Sequence, residues 1–273
     1  MDIVALRAMP AALMAIKTFL GRSDIIKVVI DGRTDAIELF DLLRLQLDNV
    51  LDLQIADVLA HRTVHDEDDR QHITRLAKFR FGSRTARANK EMMMELDVVK
   101  GMQRLLKDFG LYQNIHKDAE VVAMHKKLGS EFWMARPLSE KLLRYAANDI
   151  VMIAYLFAAF QRRGYIPSTT EDAGKLIAMS NQYVSRNCNR GWRLAQDNVF
   201  NPKNLLMVAA LQPPQGRSFE CDGCGLVFVI SCYEVRTNAL GGRERKAHCR
   251  VCDAIILESK NTISPEVVWV GLR

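Results

Sequence analysis

Residues 133–164, W-M-A-R-P-L-S-E-K-L-L-R-Y-A-A-N-D-I-V-M-I-A-Y-L-F-A-A-F-Q-R-R-G, restrict the fold more than any other stretch. They read as one helix with both ends marked. Pro137 and Ser139 stand at its start, with Ser139 placed to cap it and Glu140 in the first turn, where the helix dipole favours an acid. Arg162 and Arg163 close it and Gly164 stops it. Leu143, Ala146, Ile150, Ile153, Phe157 and Phe160 recur at helical spacing, so that face is expected in the core. Tyr145 and Asp149, four residues apart, share a neighbouring face. A phenol beside a carboxylate at the exposed start of a buried helix is a candidate functional pair, although the same spacing occurs on many ordinary helices.

The most specific signal lies near the other end. Cys221, Cys224, Cys249 and Cys252 form C-x2-C…C-x2-C with 24 residues between the pairs, slightly more than usual. Each pair can offer two thiolates from one tight turn to a tetrahedral Zn²⁺, and Gly225 suits the backbone after the first pair. His248 is a minor alternative ligand, while Cys188 and Cys232 are expected to stay unliganded. P-P-Q-G marks a linker before this region, and L-V-F-V-I, A-I-I-L and E-V-V-W-V read as strands. A small β-rich, zinc-ribbon-like module over residues 213–273 follows, with little core of its own and dependent on its metal.

Between these landmarks the chain reads as helices with two short strands. A helix over 10–21 begins at Pro10, and a strand over 25–30 follows. Asp35 opens another helix, with Ile37, Leu39, Phe40 and Leu43 apolar; as an N-cap it would need no further role. Val50 and Leu51 end a strand that runs into a helix from Asp52, also readable as a cap and carried as structural. The H-D-E-D-D-R run reads as a solvated acidic turn. From Arg75 to Lys90 the charges are all basic, and Phe79 and Phe81 are interleaved with them. This segment is either a solvated loop or one that contacts phosphates through Arg80, Arg84 and Arg87 while stacking bases. Residues 91–128 read as amphipathic helix, with Leu105, Leu106, Phe109 and Leu111 in the core and Met92–Met94 filling gaps. Residues 166–212 read as a helical linker region, with a helix over 171–183 broken by N-R-G-W. His61, His65, His72, His116 and His125 show no ligand spacing and read as ordinary surface or partly buried side chains.

A net charge of +6 and a pI near 9.0 permit a polyanionic partner. The longest apolar run, Ile150–Phe160, falls short of the roughly 20 residues a membrane helix needs, so no membrane partner is expected. The N-terminus shows no secretory leader, and the paired cysteines suit a reducing compartment, so a cytoplasmic or nuclear location is expected.

The wider string around Tyr145 carries a resemblance. W-x-x-R-P-L-x-E-x-x-x-R-Y-A-A-x-D resembles the third motif of the RNase D-like 3′-5′ exonucleases, through Arg136, Pro137, Leu138, Tyr145, Ala146, Ala147 and Asp149. K-V-V-I-D-G-R-T-D resembles the second motif, with Ile30 in place of the usual His, and N-V-L-D-L-Q-I-A resembles the segment after it. The resemblance covers about residues 1–165. It implies a helix-rich α/β domain of ribonuclease H-like fold, acting on single-stranded RNA or DNA by two-metal phosphodiester hydrolysis with Mg²⁺ or Mn²⁺. It implies that Asp149 binds a metal, Tyr145 positions the attacking water, Asp35 is the second-motif acid and Arg136 belongs to the nucleic-acid contact. The family's first motif, Asp-x-Glu, does not occur before Asp35. The expectation is therefore an N-terminally shortened domain with an open sheet edge at Val28–Ile30 and little activity by itself. The alternative is a non-catalytic nucleic-acid-binding or scaffold protein.

Overall fold

The computed structural model describes residues 6, 8–113, 115–129, 131–186, 188, 198–213, 215–259 and 267–272. Helix α1 (Pro10–Leu20) leads to strand β1 (Lys27–Val29), helix α2 (Arg33–Leu43), strand β2 (Val50–Asp52) and helix α3 (Leu53–Thr63). β1 and β2 pair in parallel, Val28 opposite Leu51. Parallel strands need a crossover, and α2 supplies it. Among the described residues β1 pairs with β2 alone.

Asp52 fastens this unit. Its carboxylate caps α3 by accepting from the Gln54 N–H at 2.8 Å, and it also accepts from the Gly32 N–H at 3.0 Å. One buried side chain thus ties the turn after β1 to the turn after β2. Burial pushes its pKa up to about 6, against the opposing pull of those two N–H groups. Asp35 is not the cap of α2: Gly32 holds that position and Asp35 lies in the first turn.

Helix α4 (Asp69–Leu76) continues through a π-helical turn (Ala77–Phe81) into α5 (Ser83–Ala88) and α6 (Lys90–Met94), and strand β3 (Asp97–Val98) and helix α7 (Met102–Asp108) follow. The basic segment is therefore helical rather than a loop. Asp68 and Gln71 form a capping box at its start, and Ile73, Leu76, Phe81 and Ala86 are buried. In the acidic run Asp66, Asp68 and Asp69 are exposed, as a solvated turn requires, and Glu67 is the exception. The Glu67 side chain is 8% exposed, and its oxygens accept from Arg75 at 2.7 and 2.9 Å while Arg75 also reaches Asp97 at 2.7 Å. Burial opposes the Glu67 charge, but hydrogen bonds from His72 and Arg75 outweigh it and hold the pKa below the ordinary range. Lys100 pairs with buried Asp57 at 3.1 Å and with Asp108 at 3.2 Å. His72 is fully buried, its Nε2 within 3.1 and 3.0 Å of the Met93 and Leu96 carbonyls. Glu67 reads as solvent-facing like its neighbours until its distant cation is known, which is why the sequence pattern missed it.

The helical reading of 91–128 breaks at β3, which pairs antiparallel with β4 (Leu205–Leu206), and resumes in α7 and α8 (Ala119–Leu128). Leu105, Leu106 and Phe109 are buried as expected. Helix α9 (Glu140–Arg162) follows a 3₁₀ turn (Glu131–Met134), and Ser139 caps it by accepting from the Leu142 N–H at 3.4 Å. Its buried face is Leu142, Met152, Leu156, Ala159 and Phe160, whereas Leu143 is 51% and Ile150 67% exposed. The expected core face is thus rotated by about one residue, or about 100°. Val151 and Tyr155 are exposed as well, so α9 has a second apolar side that faces outward. Among the described residues α9 alone is long and apolar enough to cross a bilayer, by length and composition only; its inner side lies in the protein core.

Helix α10 (Thr170–Ser185) packs on β2 and α2, with Leu176, Met179, Tyr183 and Val184 buried in the first core. Tyr183 Oη donates to Gln54 Oε1 at 3.1 Å, and Asn181 Oδ1 accepts from the Val50 N–H at 2.8 Å. This part of the expected linker region is built into the domain. The N-R-G-W break lies outside the described residues.

The C-terminal part holds a hairpin, β5 (Ser218–Glu220) with β6 (Val227–Val229), and a sheet of order β7-β8-β9 (Val235–Thr237, Arg243–Lys246, Trp269–Gly271). A-I-I-L falls in helix α11 (Arg250–Glu258) instead of a strand, because Val251, Cys252, Ala254 and Ile255 bury one helical face. The four paired cysteines, Phe228, Val251 and Ile255 share a second core with Ile73, Leu76, Met93, Leu96 and Val98. The module thus shares its core with the segment from α4 to β3. Arg80 Nε bridges both Glu258 oxygens at 2.7 and 2.8 Å, and its Nη1 donates to Asn204 Oδ1.

Candidate active site and four-cysteine metal centre

The capped start of α9 sets Tyr145 and Asp149 on one side of the helix. Asp149 Oδ2 pairs with Lys117 Nζ at 3.5 Å, while Oδ1 is buried without a hydrogen-bond partner. Burial raises the Asp149 pKa, and the Lys117 ammonium partly offsets this. The same ammonium lies 5.4 Å from the centre of the Tyr145 ring. Trp133 stands 5.9 Å from Tyr145 between ring centres, Phe132 5.5 Å from Trp133, and His125 5.6 Å from Phe132. A cleft of about 920 Å³ opens beside Tyr145, lined also by His116, Asp118, Glu140, Arg144 and Asn148. Its acids are engaged: Asp118 caps α8, Glu140 pairs with Arg144 at 2.5 Å, and Glu120 pairs with Lys141.

Arg136 Nη1 donates to the carbonyls of Trp133 at 2.6 Å and Ala135 at 2.9 Å, bracing the loop that carries the rings. Lys117 was not visible as a partner in the sequence, since 32 residues separate it from Asp149 and no spacing rule links them. Trp133 opens the third-motif string, but its contact with Tyr145 needs the fold.

Asp35 stands apart. It is exposed in the first turn of α2, and among the described residues no hydrogen bond or ion pair joins it to Asp149. Crowding by the protein, then the Asp31 and Glu38 carboxylates, push its pKa up. The unpartnered Asp149 oxygen suits a hard cation, yet two-ion sites draw on several converging carboxylates. Among the described residues the four cysteines form the one cluster of three or more ligand-type side chains close enough to share an ion. Neither Asp35 nor Asp149 belongs to such a cluster among the described residues.

The cysteines do fit a metal. Their sulfurs are buried and all lie within 4.8 Å of one another, with Cys221 and Cys252 3.6 Å apart. A tetrahedral ion with bonds of about 2.3 Å sets its sulfurs about 3.8 Å apart. Gly225 takes φ +61°, and its N–H donates to the Cys221 carbonyl at 2.6 Å, closing the turn as expected. The Cys249 N–H donates to Cys221 Sγ at 3.2 Å. His248 packs on Phe200, 5.1 Å between ring centres, and Cys188 and Cys232 are buried outside the cluster.

Of the basic candidates, Arg80 is committed to Glu258 and Asn204, whereas Arg84 and Arg87 are exposed on α5. Arg87 and Lys90 line a cleft of about 770 Å³ whose other wall carries Glu234, Lys246, Arg250 and Asp253, so both signs of charge face it.

Comparison with known proteins matches residues 1–164 to the family described as 3′-5′ exonuclease. No curated protein matches the chain. Among solved structures, the crystal structure of RNase D from Trypanosoma brucei is similar at 20% identity and a TM-score of 0.45. That similarity covers 64% of this chain and 49% of the other, so this chain spans about half of that one's length.

Proposed function

Because the chain belongs to the 3′-5′ exonuclease family, we propose that it receives the 3′ end of single-stranded RNA or DNA at the Tyr145–Asp149 face of α9. The observation that carries this reading is the unpartnered, buried Asp149 Oδ1 beside Lys117 and Tyr145. A buried carboxylate oxygen without a donor is costly unless something else occupies it. Mg²⁺ or Mn²⁺, when bound, would supply Lewis acidity toward a phosphate, and Asp149 is the residue that would hold it. Tyr145 would orient water or a terminal phosphate oxygen, and Lys117 would offset phosphate charge. Zn²⁺ in the four-cysteine centre would be structural, with all four positions closed to substrate. The thiolates would stay available to the metal in a reducing cytoplasm or nucleus.

That neither Asp35 nor Asp149 belongs to a cluster of three or more ligand-type side chains among the described residues favours a second reading, in which residues 1–273 bind such strands without hydrolysing them. One assay series distinguishes the two. Wild type, Asp149→Asn and Tyr145→Phe are incubated with a 5′-labelled single strand in Mg²⁺ or Mn²⁺, and binding is measured with free and 3′-phosphorylated ends. The expected outcome is tight binding to the free 3′ end, weakened at Asp149 and Tyr145, with little degradation. Robust metal-dependent degradation lost in Asp149→Asn would overturn the non-catalytic reading. Binding indifferent to the 3′ end and to both substitutions would overturn the site itself.

A further inference from the structure

We propose that Phe132 and Trp133 extend this site into a base-stacking platform for the nucleotides next to the 3′ end. The inference rests on the nucleic-acid reading above and adds to it how the strand is held. Both rings project from the 3₁₀ turn just before α9, and neither belongs to either hydrophobic core. Tyr145 likewise lies outside both cores. Core packing therefore does not account for three large rings in succession at partly exposed positions. The ring centres run from Phe132 to Trp133 to Tyr145 at 5.5 and 5.9 Å, tilted by 33° and 57°, and each ring is only partly buried.

Cations flank the run at both ends. Lys117 stands over Tyr145, and at the other end Lys126 and Lys127 lie in the last turn of α8, whose His125 ring packs against Phe132. Arg136 donates to the Trp133 carbonyl and steadies the turn. Rings for bases with cations for the backbone are what a single strand needs, and stacking tolerates any base because every base has a π-face. A surface that bound phosphate alone would need the cations and not the rings.

The test compares a fluorescein-labelled oligothymidylate of twelve nucleotides with an abasic strand of equal length and charge, without added divalent ion. Wild type should bind the base-bearing strand about fivefold to 150-fold more tightly, the equivalent of about 1–3 kcal/mol for a stacked base. Trp133→Leu and Phe132→Leu, which keep apolar bulk but remove the ring, should each reduce that preference without moving the unfolding midpoint. Trp133→Phe should retain most of it. If Trp133→Leu fails to fold, Phe132→Leu and Trp133→Phe carry the comparison. Equal affinity of wild type for both strands overturns the platform, as does a preference that survives in folded ring-free variants. Binding of neither strand would overturn the proposed function too, whereas tight but base-indifferent binding removes the platform alone.

Discussion

Replacing Asp52 with asparagine should alter stability in a way that depends on pH, with a sign set by the burial of its carboxylate. Asp52 is fully buried and accepts from the Gly32 and Gln54 N–H groups at 3.0 and 2.8 Å. A carboxyl raised from 3.8 to about 6 carries a penalty of about 3 kcal/mol when charged, at about 1.4 kcal/mol per pH unit. Because the folded pKa exceeds the unfolded one, the folded protein binds the extra proton. This penalty is full above about pH 6, shrinks as pH falls, and is gone below about 3.8. Asparagine keeps the shape and one acceptor but turns an amide donor toward one of the two N–H groups, a cost of about 1–3 kcal/mol. Near pH 8 loss and relief should therefore nearly cancel. By pH 5 the wild-type carboxyl is largely protonated, and wild type should have gained roughly 1 kcal/mol on the variant. Urea unfolding followed by far-ultraviolet circular dichroism at pH 8, 6.5 and 5, with equal m values, reads this difference directly. A gap independent of pH would show that the Asp52 pKa is ordinary. A gap that grows in favour of wild type at high pH would show that the two N–H groups overcome burial, and the reasoning would fail.

Three further outcomes follow from the second core and the basic helices. Purified chain should hold one zinc by elemental analysis, and its removal should speed amide exchange not only around Cys249 but at Leu76 and Met93, which share that core; unchanged protection there would mean the two sides are independent. Arg80→Ala should cost about 1–3 kcal/mol by leaving the half-buried Glu258 unpaired. Arg84→Ala with Arg87→Ala should leave stability within about 0.5 kcal/mol and flatten the salt dependence of single-strand binding by about 0.7 for each phosphate that is no longer neutralised. An unchanged slope would mean that α5 is merely solvated.

Local signals were legible where local chemistry decides. Ser139 and Asp52 cap helices as their positions suggest, and the four cysteines converge from spacing alone. Tyr145 and Asp149 share a side of α9 because helical period dictates it. The face of α9 was not legible, since Leu142 and Leu143, or Val151 and Met152, are equally apolar neighbours and only packing chooses between them. Lys117, the Glu67–Arg75–Asp97 network and the pairing of β3 with β4 join residues far apart in the chain. Periodicity carries no information about such partners. Segment 69–94 misled for a related reason: its charges suggest solvent, while its sparser apolar residues wall the cysteine cluster.

That shared wall bears on how the C-terminal part can be inherited. A zinc segment with a private core can be moved between genes like a cassette, keeping its shape wherever it lands. Here Ile73, Leu76, Met93, Leu96 and Val98 are one side of the cluster to which Cys221 and Cys249 belong. A break near Pro213 would leave apolar side chains facing water on both fragments, and the Arg80–Glu258 clasp would be split between them. Substitutions in α4–α6 and around the cysteines should therefore be tolerated only in compatible combinations, and grafting the cysteine segment onto a foreign domain should yield an unstable chimera unless α4–α6 travels with it.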